Sequence, residues 1–400
     1  MSESIEKNGL ASKLRCSVCT SVDTWEFFQR RNVPCQDGVV WPTREEALKS
    51  PLGDIKLTFC KSCGFIWNSL YDPSKVQFTG YDFSLHYSPL YQSFISSLAE
   101  RLVGQYELRN KTVLDLGCGR GHFLKTICHI GQNNGIGIDP SFEVEEGSHP
   151  EERITFIKDY YSPRYAHLTA DFVSCRHVFD ELEKQREFLE LIREALSQRT
   201  DAIVYFELPN ADFTFGERIL WNIGYAKRSW FTSNSLMNFF ELAEFRVLRC
   251  DPCFGNAYLG IEAVISNQDG NRKTDSSRST ETTREILSDF TKEHDQIVDE
   301  WATRVDDIRK AGLKAVAWGA GARAILFLTM YDLSDAISYV VDINPKRQGM
   351  FLPRTAHQVF SPDHIKVDKP DLILITNPTY ENEIRTQAAS FGFKSRFLVL

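Results

Sequence analysis

No stretch of this chain approaches the roughly 18 uninterrupted apolar residues of a membrane-spanning helix, so no span is expected. It has no long basic run, and its 46 Lys and Arg are outnumbered by 54 Asp and Glu, giving a formal net charge of −8. That balance argues against a nucleic-acid backbone or an anionic membrane as the main partner, while leaving room for a small anionic ligand held by a few local basic groups. The stretch from Met1 to Leu14 is polar and lacks the apolar core of a secretory leader. A cytoplasmic location is therefore the expectation, and in a reducing compartment paired cysteines read better as metal ligands than as disulfides.

What is present is globular material: 42% of the residues are apolar and 25% charged, enough to bury a sizeable interior. Four hundred residues exceed one ordinary core, so two or three domains are expected. Residues 1–75 read as a small loop-rich module with too few periodic apolar positions for a core of its own, so a staple is expected. From 76 to 266 a helical face (Leu90, Phe94, Leu98, Leu102) gives way to alternating strand and helix signals. Strands are expected at Thr112–Leu116, Gly135–Ile138, Ile154–Ile157, Ala170–Ser174 and Ala202–Phe206, the pattern of a parallel sheet. Residues 267–284 are almost devoid of apolar side chains and read as a linker. From 285 to 400 a long amphipathic helix (Ile286, Phe290, Ile297, Trp301, Val305, Ile308) leads into a second α/β unit, with strands at Ala315–Trp318 and Ile337–Val341.

The strongest chemical signal is Val113-Leu-Asp115-Leu-Gly117-Cys-Gly119-Arg-Gly121, an apolar strand running into glycines at every second position and then a helix. Glycines let the backbone turn sharply and approach a ligand that any side chain would block. A dinucleotide site would share that feature. Two details favour S-adenosylmethionine: an acid two residues before the first glycine, where it can meet an ammonium group, and G-x-G-x-G spacing rather than G-x-G-x-x-G. Asp139 ends the next strand, where a carboxylate can accept ribose hydroxyls, and Asp159 after the third strand is placed for the adenine amine.

Cys16-x-x-Cys19 and Cys60-x-x-Cys63 flank 40 residues and form two knuckles able to supply four thiolates to a structural zinc. Cys250 and Cys253 have no partner pair and read as structural. The C-terminal Gly319-Ala-Gly321 turn, with Asp342 further on, is by itself weak evidence of a ligand site.

The order of a four-cysteine module, an Asp-Leu-Gly-Cys-Gly-Arg-Gly segment and the C-terminal Val316-Ala-Trp-Gly-Ala-Gly-Ala-Arg323 segment resembles the sugar C-methyltransferases. Glu207-Leu-Pro-Asn210, Val341-Asp342-Ile-Asn-Pro345 and Asn377-Pro378 add to the likeness, which extends over nearly the whole chain. The resemblance implies a zinc module, a central S-adenosylmethionine domain of class I methyltransferase Rossmann-like fold, and a Rossmann-like C-terminal domain. It further implies a nucleotide-linked deoxy-keto sugar held between the last two domains. The family's tyrosine, Glu-His and Ser-Tyr-Phe elements read here Tyr225-Ala-Lys227-Arg-Ser-Trp-Phe231, and Glu181 stands where a second family histidine is found. The histidines do not carry over; Tyr225 does.

Methylation at carbon needs a base for the proton beside a carbonyl and a donor for the enolate oxygen. The candidates are His177, Glu181, Tyr225 and Lys227, with Tyr81, Tyr87 and Tyr91 as cover for the site. The leading expectation is C-methylation of a nucleotide-linked keto sugar or related secondary-metabolite intermediate. An O- or N-methyltransferase on a small acceptor and a non-catalytic cofactor-binding scaffold are the rivals.

Overall fold

The computed structural model describes residues 14–77, 85–144, 152–266, 276–392 and 394–400. The N-terminal stretch contains β1 (Thr24–Pro34), α1 (Arg44–Leu48), β2 (Leu52–Cys60) and β3 (Ile66–Asn68). Next come α2 (Pro89–Gln105), β4 (Thr112–Leu116), α3 (His122–Gly131), β5 (Asn134–Ile138), β6 (Ile154–Ile157), β7 (Phe172–Arg176), α4 (Gln185–Ala195) and β8 (Ile203–Pro209). They are followed by α5 (Ala211–Gly216), β9 (Ser229–Trp230), α6 (Ser233–Leu242), β10 (Phe245–Cys253) and β11 (Tyr258–Ile265). The C-terminal part runs α7 (Ser276–Lys310), β12 (Ala315–Trp318), α8 (Ala322–Met330), β13 (Ile337–Val341), β14 (Val359–Phe360), α9 (His364–Asp368), β15 (Leu372–Ile375), α10 (Glu381–Ala389) and β16 (Arg396–Val399).

The central sheet has seven strands in the order β10-β11-β8-β7-β4-β5-β6. Strands β4 to β8 pair in parallel, and β11 and β10 close one edge antiparallel. Parallel strands covered on both faces are largely apolar, as Val113, Leu114, Leu116, Val173 and Cys175, all buried, illustrate. The strand order reverses at β4, which lies between β5 and β7, and ligands of open α/β sheets bind beyond the strand ends at such a point. A second, five-stranded parallel sheet repeats the plan in the order β14-β13-β12-β15-β16, with its reversal at β12.

The N-terminal stretch differs from the loop-rich module expected. It forms a four-stranded antiparallel sheet, β1-β2-β3-β9, whose last strand comes from residues 229–230. Bulges between Glu26 and Phe28 and between Arg30 and Val33 break the two-residue alternation of β1, and this hides the strand from its pattern. Its apolar side chains are buried against other parts of the chain: Phe28 meets Phe290 of α7 at 5.7 Å, Phe27 meets Phe215 of α5 at 5.7 Å, and Phe290 meets Phe215 at 5.1 Å between ring centroids.

The expected linker also changes character. Residues 276–284 belong to α7, and Thr280 and Thr283 are buried in it, while 267–275 lie outside the described residues. Small hydroxylated side chains let the helix sit close to the cysteine knuckles, where a β-carbon added to Gly64 would lie 3.7 Å from Thr280 Cγ2. Their polarity masks the contact in the sequence. Among the described residues no helix is long and apolar enough to cross a membrane.

Phe290 joins three regions of the chain and is fully buried. Phe290→Ala should destabilise the protein by about 3–5 kcal/mol, the cost of an unfilled aromatic site, read as a lower denaturant midpoint. A loss under about 1 kcal/mol would mean that the three regions do not depend on this contact.

Candidate active site

At the reversal point, β4 delivers Asp115 and then the glycine turn. Asp115 is buried, and its Oδ1 accepts a hydrogen bond from Ser174 Oγ of β7 at 2.7 Å. Burial pushes its carboxyl up to about 6, partly offset by that hydrogen bond and by the Arg176 guanidinium. The turn is left-handed at Gly117 (φ 71°), Gly119 (φ 54°) and Gly121 (φ 77°). Two of these glycines are also required sterically: an added β-carbon at Gly117 would stand 2.2 Å from Val178, and one at Gly121 2.4 Å from Phe156. At Gly119 it would meet nothing within 4 Å, so here the bare backbone borders open space.

Asp139, beyond β5, closes on this turn. Its Oδ2 accepts from the Gly119 N–H at 2.8 Å, and Oδ1 accepts from the N–H and hydroxyl of Ser141 at 2.7 and 2.6 Å. Asp159 is engaged by the Tyr165 hydroxyl at 2.7 Å and by Arg164 at 2.9 Å, and these partners hold its carboxyl below the ordinary range. Asp115, Gly117, Gly119, Asp139 and Asp159 all line one cleft of about 950 Å³. Gly121, at the N-terminus of α3, supports the turn from behind rather than lining the cleft.

Of the four residues expected to act in catalysis, His177 and Glu181 line this cleft. His177 has a left-handed backbone (φ 57°), uncommon for a residue with a side chain. Its Nε2 lies 3.0 Å from Glu207 Oε1, and its ring meets Tyr258 edge-on at 4.4 Å. Burial drives the Glu181 carboxyl well above its usual value, and the neighbouring Asp180 and Asp37 push the same way against Lys227. Asp180 and Asp37 are themselves buried and raised, Asp37 to about 6, with burial the main cause in both.

Tyr225 and Lys227 do not line the cleft. Tyr225 is fully buried, its ring fills the space over Gly53 and stacks on Tyr71 at 5.5 Å, and its hydroxyl accepts the Asp72 N–H at 2.8 Å. A side chain so committed supports the wall that Tyr71 and Pro73 present to the cleft. Lys227 Nζ donates to the Asn222 carbonyl at 3.4 Å and balances the acids behind Glu181. Tyr91 lines the cleft, Tyr87 does not, and Tyr81 lies outside the described residues.

One buried polar group was not anticipated: Arg176, Glu207 and Tyr205 on the same sheet face, with Tyr91 of α2. Arg176 Nη2 donates to Glu207 Oε1 at 2.7 Å and to the Tyr91 hydroxyl at 2.8 Å, and Tyr205 donates to Glu207 Oε2 at 2.8 Å. Burial favours a neutral Glu207, but Arg176 and His177 outweigh it and hold the carboxyl down to about 2. The available signal was a charge at the end of each of two adjacent apolar strands, a placement that burial makes costly unless the charges pair.

The second α/β unit repeats the central turn. Asp342 Oδ2 accepts the Ala320 N–H at 2.7 Å and Oδ1 the Asn344 N–H at 2.8 Å, the same pair of contacts that Asp139 makes. Arg323, in the first turn of α8, reaches Asn377 at 3.0 Å and Asn222 of the central region at 2.7 Å. Nothing from this unit lines the 950 Å³ cleft among the described residues.

The two cysteine knuckles converge. Sγ atoms of Cys16, Cys19, Cys60 and Cys63 all lie within 4.8 Å of one another. Separations of 3.7 Å (Cys16–Cys63) and 3.5 Å (Cys19–Cys60) approach the roughly 3.8 Å edge of a tetrahedron with zinc–sulfur bonds of about 2.3 Å, so the donor set fits that ion. Cys250 and Cys253 are separated on β10, the first near the Ser233 carbonyl and the second near Glu207, and share no such cluster.

No curated protein matches the chain. Among solved structures, an N1-methyltransferase for 1,6-didemethyltoxoflavin from Burkholderia thailandensis is 18% identical, covering 45% of this chain and 82% of that one at a TM-score of 0.34. A magnesium protoporphyrin IX methyltransferase from Synechocystis is 20% identical, covering 44% and 84% at 0.34. Likeness at that level carries no argument about activity. The sequence families are more telling: one described as a methyltransferase domain matches residues 72–249, and one described as the C-methyltransferase C-terminal domain matches 272–399. With these two matches following one another along it, the chain is an S-adenosylmethionine-dependent methyltransferase.

Proposed function

We propose that this enzyme methylates a carbon atom beside the carbonyl of a nucleotide-linked keto sugar, using the cleft at the end of β4 for its cofactor. The match of the C-methyltransferase C-terminal domain to residues 272–399 carries the choice of carbon as acceptor. When bound, S-adenosylmethionine supplies a methyl group activated by its sulfonium sulfur. On this reading Asp115 takes the ammonium group, the open backbone at Gly119 gives room for close approach, Asp139 accepts the ribose hydroxyls and Asp159 faces the adenine. The fit is supported by the Gly119 position, where a β-carbon would meet only empty space. The second glycine turn, with Arg323 and Asp342, lends contacts to the nucleotide of the acceptor.

The proton beside the carbonyl passes to a group on the cleft wall, and of the four residues expected to act in catalysis His177 and Glu181 stand there. A carboxyl raised by burial and by two neighbouring acids is a stronger base once ionised than an exposed one, which suits Glu181 to this role. Lys227 and Tyr225 act through others, the lysine on the acids and the tyrosine on Tyr71. The four cysteines would hold zinc in a closed, structural site.

Four measurements bear on this reading. A radiolabelled methyl screen over nucleotide keto sugars should show transfer; cofactor binding with no transfer to any acceptor would favour a scaffold, and transfer only to oxygen or nitrogen would replace the carbon assignment. Asp139→Ala should weaken S-adenosylhomocysteine binding by about 1–3 kcal/mol in calorimetry, and unchanged affinity would remove the ribose role.

Because Asp115 is pushed up to about 6, it carries a proton below that pH in the free protein and cannot then balance an ammonium group. Affinity for S-adenosylhomocysteine should be level above about pH 7 and fall by up to roughly tenfold per unit below about 6, a slope that Asp115→Asn abolishes. A slope surviving in the variant would belong to another group. Purified protein should also carry about one zinc per chain, and chelation should loosen the N-terminal sheet while leaving cofactor affinity intact. Absence of metal would end that assignment.

A further inference from the structure

We propose that Arg176 binds the carboxylate of the cofactor's amino-acid end, opposite Asp115, which takes the ammonium; the inference rests on the cleft at β4 being the cofactor site. Neither the spacing of the glycine segment nor the family matches single out this residue.

The placement follows from register. Asp115 pairs with Ser174 across the parallel β4–β7 ladder, and Leu116 with Cys175. Side chains alternate along a strand, so Asp115, Ser174 and Arg176 emerge on one face of the sheet. The hydrogen bond from Ser174 Oγ to Asp115 Oδ1 confirms the shared face. A carboxylate and a guanidinium thus stand side by side at the strand ends, both lining the cleft. An α-amino acid group, with its ammonium and carboxylate one carbon apart, presents the complementary pair of charges.

Donor accounting points the same way. A guanidinium has five N–H groups. In Arg176 the two on Nη2 are spent on Glu207 and Tyr91. The Nε hydrogen is buried with no partner, and Nη1 makes no hydrogen bond among the described residues. Nη1 therefore keeps both of its hydrogens for a charge-assisted contact with a carboxylate oxygen. The guanidinium is held in place: its partner Glu207 is buried, Arg176 and Glu207 are register partners on β7 and β8, and the Phe123 ring lies 4.7 Å from the guanidinium carbon.

The test uses binding alone and needs no acceptor. S-Adenosylhomocysteine and its decarboxylated counterpart, which keeps the amine and loses only the carboxylate, are titrated into the intact protein by calorimetry. Wild type should bind the decarboxylated ligand at least about tenfold more weakly, the worth of a charge-assisted pair. Arg176→Lys keeps a cation beside Glu207 and removes the two Nη1 hydrogens; it should lose most of that discrimination by weakening only the carboxylate-bearing ligand. Equal affinities in wild type, or discrimination that survives undiminished in Arg176→Lys, would overturn the proposal while leaving the cofactor cleft in place. If neither ligand binds, the cleft itself is misassigned and Arg176 falls with it.

Discussion

The hydrogen bond from the Gly119 N–H to Asp139 ties together the ends of two adjacent parallel strands, and the geometry of the cleft follows from it. It holds the turn after β4 open, directs a bare stretch of backbone toward solvent, and leaves Asp115 buried at its root. The strand order reverses at this point, where the connections leave the sheet in opposite directions and the space between them stays available to a ligand. The left-handed residues Gly117 and Gly121 are conditions for this turn: each lies where a side chain would strike Val178 or Phe156. At Gly119 an added side chain would meet nothing, so here the backbone is bare toward the open cleft.

The C-terminal unit solves the same problem in the same way, with Asp342 accepting the Ala320 and Asn344 amides. Two copies of one device therefore stand in a single chain, one facing a large cleft and the other turned toward the central region through Arg323 and Asn222. The N-terminal sheet lies against both, since its aromatic side chains share a core with α5 and α7 and with β12 and α8. The acids behind Glu181 show the same shared construction: Asp37 comes from the N-terminal stretch, Asp180 from the loop after β7, and Lys227 from the segment before β9.

How much of this was legible in the sequence depended on whether the signal was local. The parallel strands were, because burial on both faces writes each as a largely apolar run; Thr112–Leu116 and Ile337–Val341 match their predicted bounds. The glycine turn and the cysteine knuckles were legible for the same reason, each being a short segment with a fixed internal spacing. Strand β1 was not, because two bulges shift its alternation, nor was β9, whose two residues gain meaning only beside Ile66 and Trp67. The first turns of α7 were hidden by threonines that are polar in type yet buried in place. The roles of Tyr225 and Arg176 were set by register and packing across 150 residues or by a neighbouring strand, information that no linear pattern carries.

The pairing of Ser229–Trp230 with Ile66–Trp67 bears on how this protein can be dissected. A shortened chain begun after β3 would strip the hydrogen-bonding partner from that two-residue segment and lay bare the ring of Trp230, while removing the loop that supplies Asp37. The cysteine-knuckle region is thus woven into the body that carries the cleft rather than appended to it, and a chain trimmed to its methyltransferase segment alone would lack both that strand pairing and Asp37.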